Sequence, residues 1–594
     1  MMFGGPGRHR GPFVPGEPVR LERKTLSYAW RLAGYLKPYS GKLALSACFM
    51  VGSSLAGVAG PFILGMAIDR FIRAGDTRGL GFAGMLYLGV SLANWAFSYL
   101  QTYITSQVGH GLIAELRQQL FEHVERLRMS YIDREETGRL MSRITSDIDS
   151  ISQLLSTGLA SLLSDLLMLT GIVVILFAMN LRLALISALT IPALVSVTYL
   201  FQGNMQRAFT KVRRSVAEVN ANLEESLSGI RVIQSFGRED VNMHRFSEVN
   251  ASTMEANLEA ARTFALFFPI VDVIGALGTA AILFAGGRMI IQGELQVGAL
   301  AAFLSYVTRF FMPIREISQI YNMVVAALAS AQRIFELMDE PVEPLGGLKL
   351  KRVRGQVKFE DVVFWYDRGT PVLEGVTLEA LPGQMTAIVG PTGAGKTSII
   401  NLLTGMYQPV SGCISIDGVD ISKVDLASLR RNVGVVLQDN FVFAGTILDN
   451  IRYGKPDATL DQVEVAAKAA GAHDFIVKLK DGYYTLIGER GSGISVGQKQ
   501  LIALARALLV DPPILVLDEA TSNVDPYTEF LIQQALSRLM RDRTLIVIAH
   551  RLSTVRQAAR IYVIQEGKVV EMGTHDQLIA KDGVYRALYQ SQAL

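Results

Sequence analysis

From Lys42 onward the chain turns apolar, and residues 43–68 run for 26 positions without a charge, longer than the roughly 20 that a helix needs to cross hydrocarbon. A second charge-free window, 79–114, exceeds one crossing and predicts a helix that continues beyond the bilayer. Further spans are expected at 154–179, 183–201, 264–291 and 297–327, which makes six. Very short connectors, 180–182 and 293–296, join the third span to the fourth and the fifth to the sixth. After Asp339 the texture changes. Glu-Pro-Val-Glu-Pro-Leu-Gly-Gly reads as a linker, and short β-rich runs then alternate with helical periods, the pattern of a soluble α/β domain.

The long connectors, 115–153 and 207–262, carry heptad-like apolar positions such as Leu116, Leu120, Val124 and Leu127. They predict amphipathic helices that carry the spans well past the membrane surface. Each is interrupted once, at Tyr131–Gly138 and around Ser228-Gly229-Ile230-Arg231-Val232, either as an ordinary turn or as something more specific. Lysine and arginine set the orientation, because basic residues in short loops stay cytoplasmic. The segment before the first span holds eight and the long connectors six and eight, against three and one in the first two opposite loops and one, Arg288, near the third. Both termini are therefore expected in the cytoplasm, with the protein in a cell membrane, inner or plasma.

Composition supports the membrane reading. Half of the 594 residues are AVILMFWYC and 19% are charged. Leaving out Tyr and counting Gly brings the apolar share to roughly 56%, where soluble domains run about 45–50%. Mean hydropathy is +0.30, which excludes intrinsic disorder. A net charge of +3 is too small to suggest nucleic-acid binding. Cys48 and Cys413 lie far apart and predict no disulfide. Residues 1–24 lack the apolar stretch of a signal peptide and read as a tail.

Ionisable residues inside the spans, Asp165, Asp272, Arg309, Arg315 and Glu316, are costly unless they meet water or a partner. Some are expected to line a cavity, while Asp165 can pair within the bundle and Arg315 and Glu316 can reach the interface. Pro61, Pro192, Pro269 and Pro313 free backbone carbonyls within their spans, for a polar pathway or for helix packing alone. The aromatics Phe267, Phe268, Tyr306, Phe310 and Phe311 near Asp272 and Arg309 offer either an amphipathic substrate surface or a lipid-facing packing surface.

The soluble half carries Gly390-Pro391-Thr392-Gly393-Ala394-Gly395-Lys396-Thr397-Ser398 between the apolar strand 385–389 and the apolar helix 399–403. This is G-x-x-x-x-G-K-[ST] in its strand–loop–helix context. Glycines let backbone N–H groups close around phosphate, the helix N-terminus adds positive potential, Lys396 reaches the β and γ phosphates, and Thr397 can ligate Mg²⁺. Downstream, Ile514-Leu515-Val516-Leu517-Asp518-Glu519 is a buried strand ending in two acids. Asp518 suits the Mg²⁺ shell and Glu519 is placed to polarise an attacking water. The expected fold class is an all-α six-helix transmembrane domain fused to an α/β P-loop NTPase domain. Its expected parts are a tail 1–24, a transmembrane domain 25–335, a linker 336–354 and a nucleotide-binding domain 355–594.

At this point the residues resemble the ATP-binding cassette (ABC) transporters. Ile494-Ser495-Val496-Gly497-Gln498 resembles the signature Leu-Ser-Gly-Gly-Gln of that family. The resemblance implies that Tyr366 stacks on adenine, that Gln438 contacts Mg²⁺ and couples to the membrane domain, and that His550 contacts the γ-phosphate. It implies that Ser522 and Asp525 belong to a loop communicating across a dimer. Taken singly, Tyr366, Gln438 and His550 could each be structural; their family spacing is what assigns them. Six spans ahead of the cassette in one polypeptide resemble the exporters. The connector breaks then resemble coupling helices that touch the cassettes, and ATP is sandwiched between one cassette's phosphate loop and the signature of the other.

Val496 departs from the family's pattern, which has glycine there. A branched side chain restricts φ/ψ and close backbone approach to phosphate. The resemblance is therefore to the catalytic-glutamate half of bacterial heterodimeric multidrug exporters, whose partner half-transporter has a degenerate catalytic acid. The expected function is ATP-driven export of amphipathic drugs or lipids by alternating access. The alternatives are a homodimeric lipid flippase of the same fold and, in another class, an ATP-gated channel or regulator.

Overall fold

Charge-free runs dictate the first half of the molecule, because a helix satisfies every backbone polar group internally where no water can. A computed structural model describes residues 23–366, 369–438, 440–488, 491–518, 530–532, 534, 543–549 and 555–593, with the backbone alone at 23–26, 311–319, 321–322 and 591–593. Most of the expected tail thus lies outside the described residues. Two compact units form. The first contains 1–125 and 137–340, and the second contains 126–136 and 341–594.

Five helical rods of the first unit are long and apolar enough to cross a membrane: Lys37–Ile72, Thr77–Glu125, Thr137–Met179, Leu181–Ser228 and Glu239–Ile291. The sixth rod, Val297–Met338, carries a shorter described apolar stretch, Val297–Phe310. Only 6 to 28% of each of the five apolar windows is buried inside the protein, so most of that apolar surface faces outward, as lipid demands. The connector helices run on from the spans as expected, and their breaks are the short helices Met129–Ile132 and Ile230–Ser235.

Polar side chains fasten the rods at particular places. Pro61 has no N–H to give the Gly57 carbonyl one turn earlier. Arg309 Nη1 donates to that carbonyl at 2.6 Å, and Tyr306 Oη donates to the Val58 carbonyl at 2.5 Å. The carbonyl that Pro61 frees in the first rod is thereby answered from the sixth. At the other end of the same pair, the Asp69 carboxylate accepts from Gly298 N at 2.6 Å and Ala299 N at 2.9 Å. It caps a helix whose own N-cap, Gln296, supplies no side-chain bond. A Cβ on Gly65 would come within 2.7 Å of the Gly298 carbonyl oxygen, so the two backbones touch only because glycine stands there. Asp147, buried, accepts from Arg333 Nε and Ser330 Oγ at 2.9 Å each, a paired burial of charge that avoids the penalty of a lone carboxylate.

The second unit contains three sheets. Strands β1 (Val357–Phe364), β2 (Leu373–Ala380), β4 (Ser411–Ile416) and β5 (Val419–Asp420) form an antiparallel sheet in the order β2-β1-β4-β5. Strands β3 (Met385–Val389), β6 (Val433–Val436), β9 (Ile514–Asp518), β10 (Thr544–Ile548), β11 (Arg560–Gln565) and β12 (Lys568–Gly573) form the central sheet, ordered β12-β11-β3-β10-β9-β6. All of it is parallel except β12. A small pair, β7 (Gly445–Thr446) and β8 (Leu486–Ile487), completes the set. Strands β3, β9 and β10 are buried at every position and are apolar except at Thr386, Asp518 and Thr544, the pattern of strands covered on both faces. Full burial of each large aliphatic there contributes on the order of 2 kcal/mol.

Candidate functional site

A parallel sheet presents its ligand crevice beyond the carboxyl ends of its strands, where the strand order reverses. From β3 the chain goes out to β6 at the far edge, returns through β9 and β10, and then passes β3 to reach β11. The reversal lies beside β3. The loop Gly390–Gly395 leaves β3 at this edge and enters the helix Lys396–Leu403. Two glycines are required by geometry. A Cβ on Gly390 would meet the Ile564 carbonyl oxygen at 2.1 Å, and Gly395, at φ +100°, is the left-handed N-cap of the helix.

The loop presents Pro391, Thr392 and Gly393 to solvent and buries Ala394. Lys396, only 6% exposed, donates from Nζ to the Gly390 and Pro391 carbonyls at 2.8 Å each. An ammonium is thus held at the mouth of the loop rather than in solvent. Thr397 is exposed at the helix N-terminus, and Ser398 is buried, its Oγ 3.0 Å from Tyr366 Oη. Backbone N–H groups, a helix N-terminus and one cation converge here, an arrangement suited to phosphate.

The other motif residues follow neighbouring strands of the same sheet. Asp518 is the last residue of β9 and is buried; Gln438 lies two residues past β6 and is exposed. Glu519, Ser522, Asp525 and His550 lie outside the described residues, so their assignment rests on sequence alone.

Tyr366 belongs to a cluster that sequence reasoning missed. Its ring meets Phe364 at 4.8 Å and Tyr407 at 5.0 Å, edge to face, and Tyr407 meets Phe364 at 5.5 Å. Tyr407 Oη donates to Asp133 Oδ2 at 2.6 Å, and Arg134 Nη2 donates to the Tyr366 carbonyl at 3.2 Å. Burial, and next the bond to Asp133, push the Tyr407 phenol well above its ordinary range, so it stays a donor. Asp133 and Arg134 come from the first connector break, which clusters with this unit and not with the helical one. A Tyr at 407 and a carboxylate at 133 are 274 residues apart, and no local spacing joins them.

The signature segment is a helix start. Ser495 caps the helix Val496–Val510, its Oγ accepting from Gln498 N at 3.2 Å while Gln498 Oε1 accepts from Ser495 N at 2.9 Å. This is a reciprocal capping box. Val496 is the first helical residue, and Gly497 behind it is buried. The backbone restriction expected of valine does not operate, since the helical region suits it without strain. What remains is bulk: the Val496 side chain is 59% exposed beside the first-turn N–H groups.

The membrane candidates are not brought together. Arg309 lines a polar cavity with residues of the first three rods, and Phe267, Phe310 and Asp272 do not line it. Phe267 packs against Phe201 at 5.7 Å and Phe268 at 5.5 Å. Phe310 lies against the apolar cluster around Tyr306, and the side chain of Phe311 is outside the described residues.

The family descriptions "ABC transporter transmembrane region" and "ABC transporter" match residues 43–314 and 373–522. The chain is 39% identical over 570 residues to the uncharacterized ABC transporter ATP-binding protein YknV of Bacillus subtilis, covering 95% of this chain and 94% of that protein. It is 42% identical over 509 residues to a fatty acid ABC transporter ATP-binding/permease protein of Mycobacterium bovis, covering 86% and 80%. A solved structure of a bacterial Atm1-family ABC exporter with ATP bound superimposes with a TM-score of 0.78 at 30% identity, over 93% of this chain and 98% of that one.

Proposed function

The chain belongs to the ABC exporter half-transporters, membrane ATPases that couple ATP hydrolysis to transport, and from that premise we propose that it exports amphipathic molecules, drugs or lipids, as one half of a dimer with a non-identical partner. The observation that carries the export reading is the joining, in one polypeptide, of apolar rods that face outward to a phosphate loop at the switch point of a parallel sheet. A relative named for fatty acid transport supports a lipid-like cargo. The protein then sits in the cell membrane with its termini and ATPase unit in the cytoplasm. Proteoliposomes holding the assembled dimer should accumulate or translocate a fluorescent amphiphile only with ATP. Movement independent of ATP would point to a gated channel instead.

Each residue has a proposed task. The N–H groups of Thr392, Gly393, Ala394 and Gly395 and the Lys396 ammonium hold the β and γ phosphates, Tyr366 carries the adenine, and Glu519 takes the proton of the attacking water. Gln438 and His550 orient water and γ-phosphate, while Ser522 and Asp525 face the dimer partner. Ser495, Val496, Gly497 and Gln498 serve the partner's nucleotide. Mg²⁺ fits the donors present, because the exposed Thr397 hydroxyl and the buried Asp518 carboxylate are the hard oxygen ligands it prefers. When bound it neutralises phosphate charge.

Tyr407 positions the Tyr366 platform. Tyr407→Phe keeps the ring contacts and removes only the bond to Asp133. The ATP concentration for half-maximal turnover should rise about threefold to tenfold with little change in maximal rate, as read by steady-state phosphate release. An unchanged half-saturation would dismiss Tyr407 from that role.

The non-identical partner is supported by Val496, whose exposed methyls crowd the helix N-terminus that would face phosphate. The purified chain alone is expected to turn ATP over weakly, and Val496→Gly should raise that rate several-fold. Full turnover by the unmodified chain on its own would end the heterodimer reading and favour a homodimer.

A further inference from the structure

Near the middle of the first apolar run, a cavity of about 470 Å³ opens among the first, second, third and sixth rods of the helical unit. Its wall is unlike the rest of the spans. Twelve of its fifteen lining residues are polar: eight serine and threonine hydroxyls, the amides of Asn94 and Gln101, and the charged pair of types Asp165 and Arg309. No aromatic ring is among its described lining residues.

Polar groups inside hydrocarbon cost free energy unless something answers them. Some of these hydroxyls are answered locally. Ser53, Ser156 and Thr157 donate to carbonyls one turn back at 3.0, 2.7 and 2.7 Å, which leaves their lone pairs available as acceptors. Local bonding does not account for the whole wall. Ser54 Oγ is buried with no hydrogen-bond partner among the described residues, and Gln101 is 8% exposed. Arg309 spends one N–H on the carbonyl that Pro61 frees, and its guanidinium has others. The space equals about fifteen water volumes at roughly 30 Å³ each and lies within the range of small-molecule sites, roughly 300–1,000 Å³.

The chemistry of the wall selects among cargoes. A simple anion needs convergent cations, and an organic cation or flat drug needs carboxylates or ring faces. Among the described lining residues one carboxylate and one guanidinium offset each other, and of the ten neutral groups three hydroxyls are left as acceptors while the other seven are of types that both donate and accept. That is the complement of a ligand whose own groups do both, namely hydroxyls on a compact frame. We propose that this cavity seats a polyhydroxylated headgroup, a sugar or polyol carried on an amphiphile. The inference rests on the export reading above and narrows its cargo.

The test uses the full chain in its assembled dimer, in proteoliposomes, with three probes carrying the same fluorophore on an acyl chain. The probes are monoglucosyl diacylglycerol, phosphatidylglycerol and phosphatidylcholine. ATP-driven transfer of the glucosyl lipid should exceed that of either phospholipid at least fivefold. Gln101→Leu combined with Ser164→Ala should slow the glucosyl lipid at least fivefold, leave the slower phospholipid rates alone and leave ATPase activity without probe unchanged. Ser54→Ala, a smaller change that folds if the double variant does not, should slow it about threefold. A preference for a phospholipid, or an equal effect of the variants on all three probes, would overturn the polyol site while leaving the export reading intact. ATP-dependent movement of none of the probes would overturn both.

Discussion

Glu519→Gln should cut steady-state ATP turnover by two orders of magnitude or more while the affinity for ATP stays within about twofold. The expectation starts from β9, whose apolar run Ile514–Leu517 is fully buried and ends at Asp518 on the edge of the sheet that also carries the phosphate loop. The next carboxylate in sequence, Glu519, is the one proposed as base, an assignment that rests on its place directly after this strand end. Glutamine keeps the volume and a hydrogen-bonding oxygen but cannot take a proton, so it isolates the base. A positioned general base contributes about 10²- to 10⁴-fold. Binding should persist, because the phosphate contacts are proposed for the Gly390–Gly395 loop and Lys396 and not for Glu519. Phosphate release and equilibrium binding, measured on the same preparation, separate the two effects, and transport should fall with turnover. Equal turnover in the variant and the parent would remove Glu519 from the role of base.

The sequence exposes features that are local in the chain. Charge-poor runs mark the spans because a charge in hydrocarbon is costly without water or a partner, and the phosphate loop is legible because its glycines, lysine and flanking strand all lie within about a dozen residues. Contacts between distant residues were not legible. Pro61 announced a freed carbonyl, and Arg309 announced an expensive charge, but only the fold shows that one answers the other. Asp69 caps a helix that begins 228 residues later in the chain, a contact that no local spacing announces. The union of Tyr407, Asp133 and Tyr366 likewise needs the connector break and the ATPase unit to meet. Val496 shows the converse limit. A glycine replaced by valine suggests backbone strain, yet the capping box places that position in ordinary helix, and the consequence is steric instead.

Lys396→Ala should weaken ATP binding by about tenfold to a hundredfold, the opposite signature to that of Glu519→Gln. The lysine is buried among loop carbonyls, donating to Gly390 and Pro391, which holds its ammonium at the mouth of the phosphate loop. Removing it deletes one charge-assisted bond to phosphate, worth about 1.5–3 kcal/mol, at about 1.4 kcal/mol per tenfold in affinity. It also strips two loop carbonyls of their donor, so part of the loss reflects a loop that no longer holds its shape. Lys396→Met separates the two contributions, since it restores the aliphatic stem and not the charge. If charge dominates, methionine should bind ATP as poorly as alanine does. If loop shape dominates, methionine should recover most of the affinity. Titration of ATP by calorimetry into the three proteins reads this directly, and an alanine variant that binds as tightly as the parent would take Lys396 out of the phosphate site.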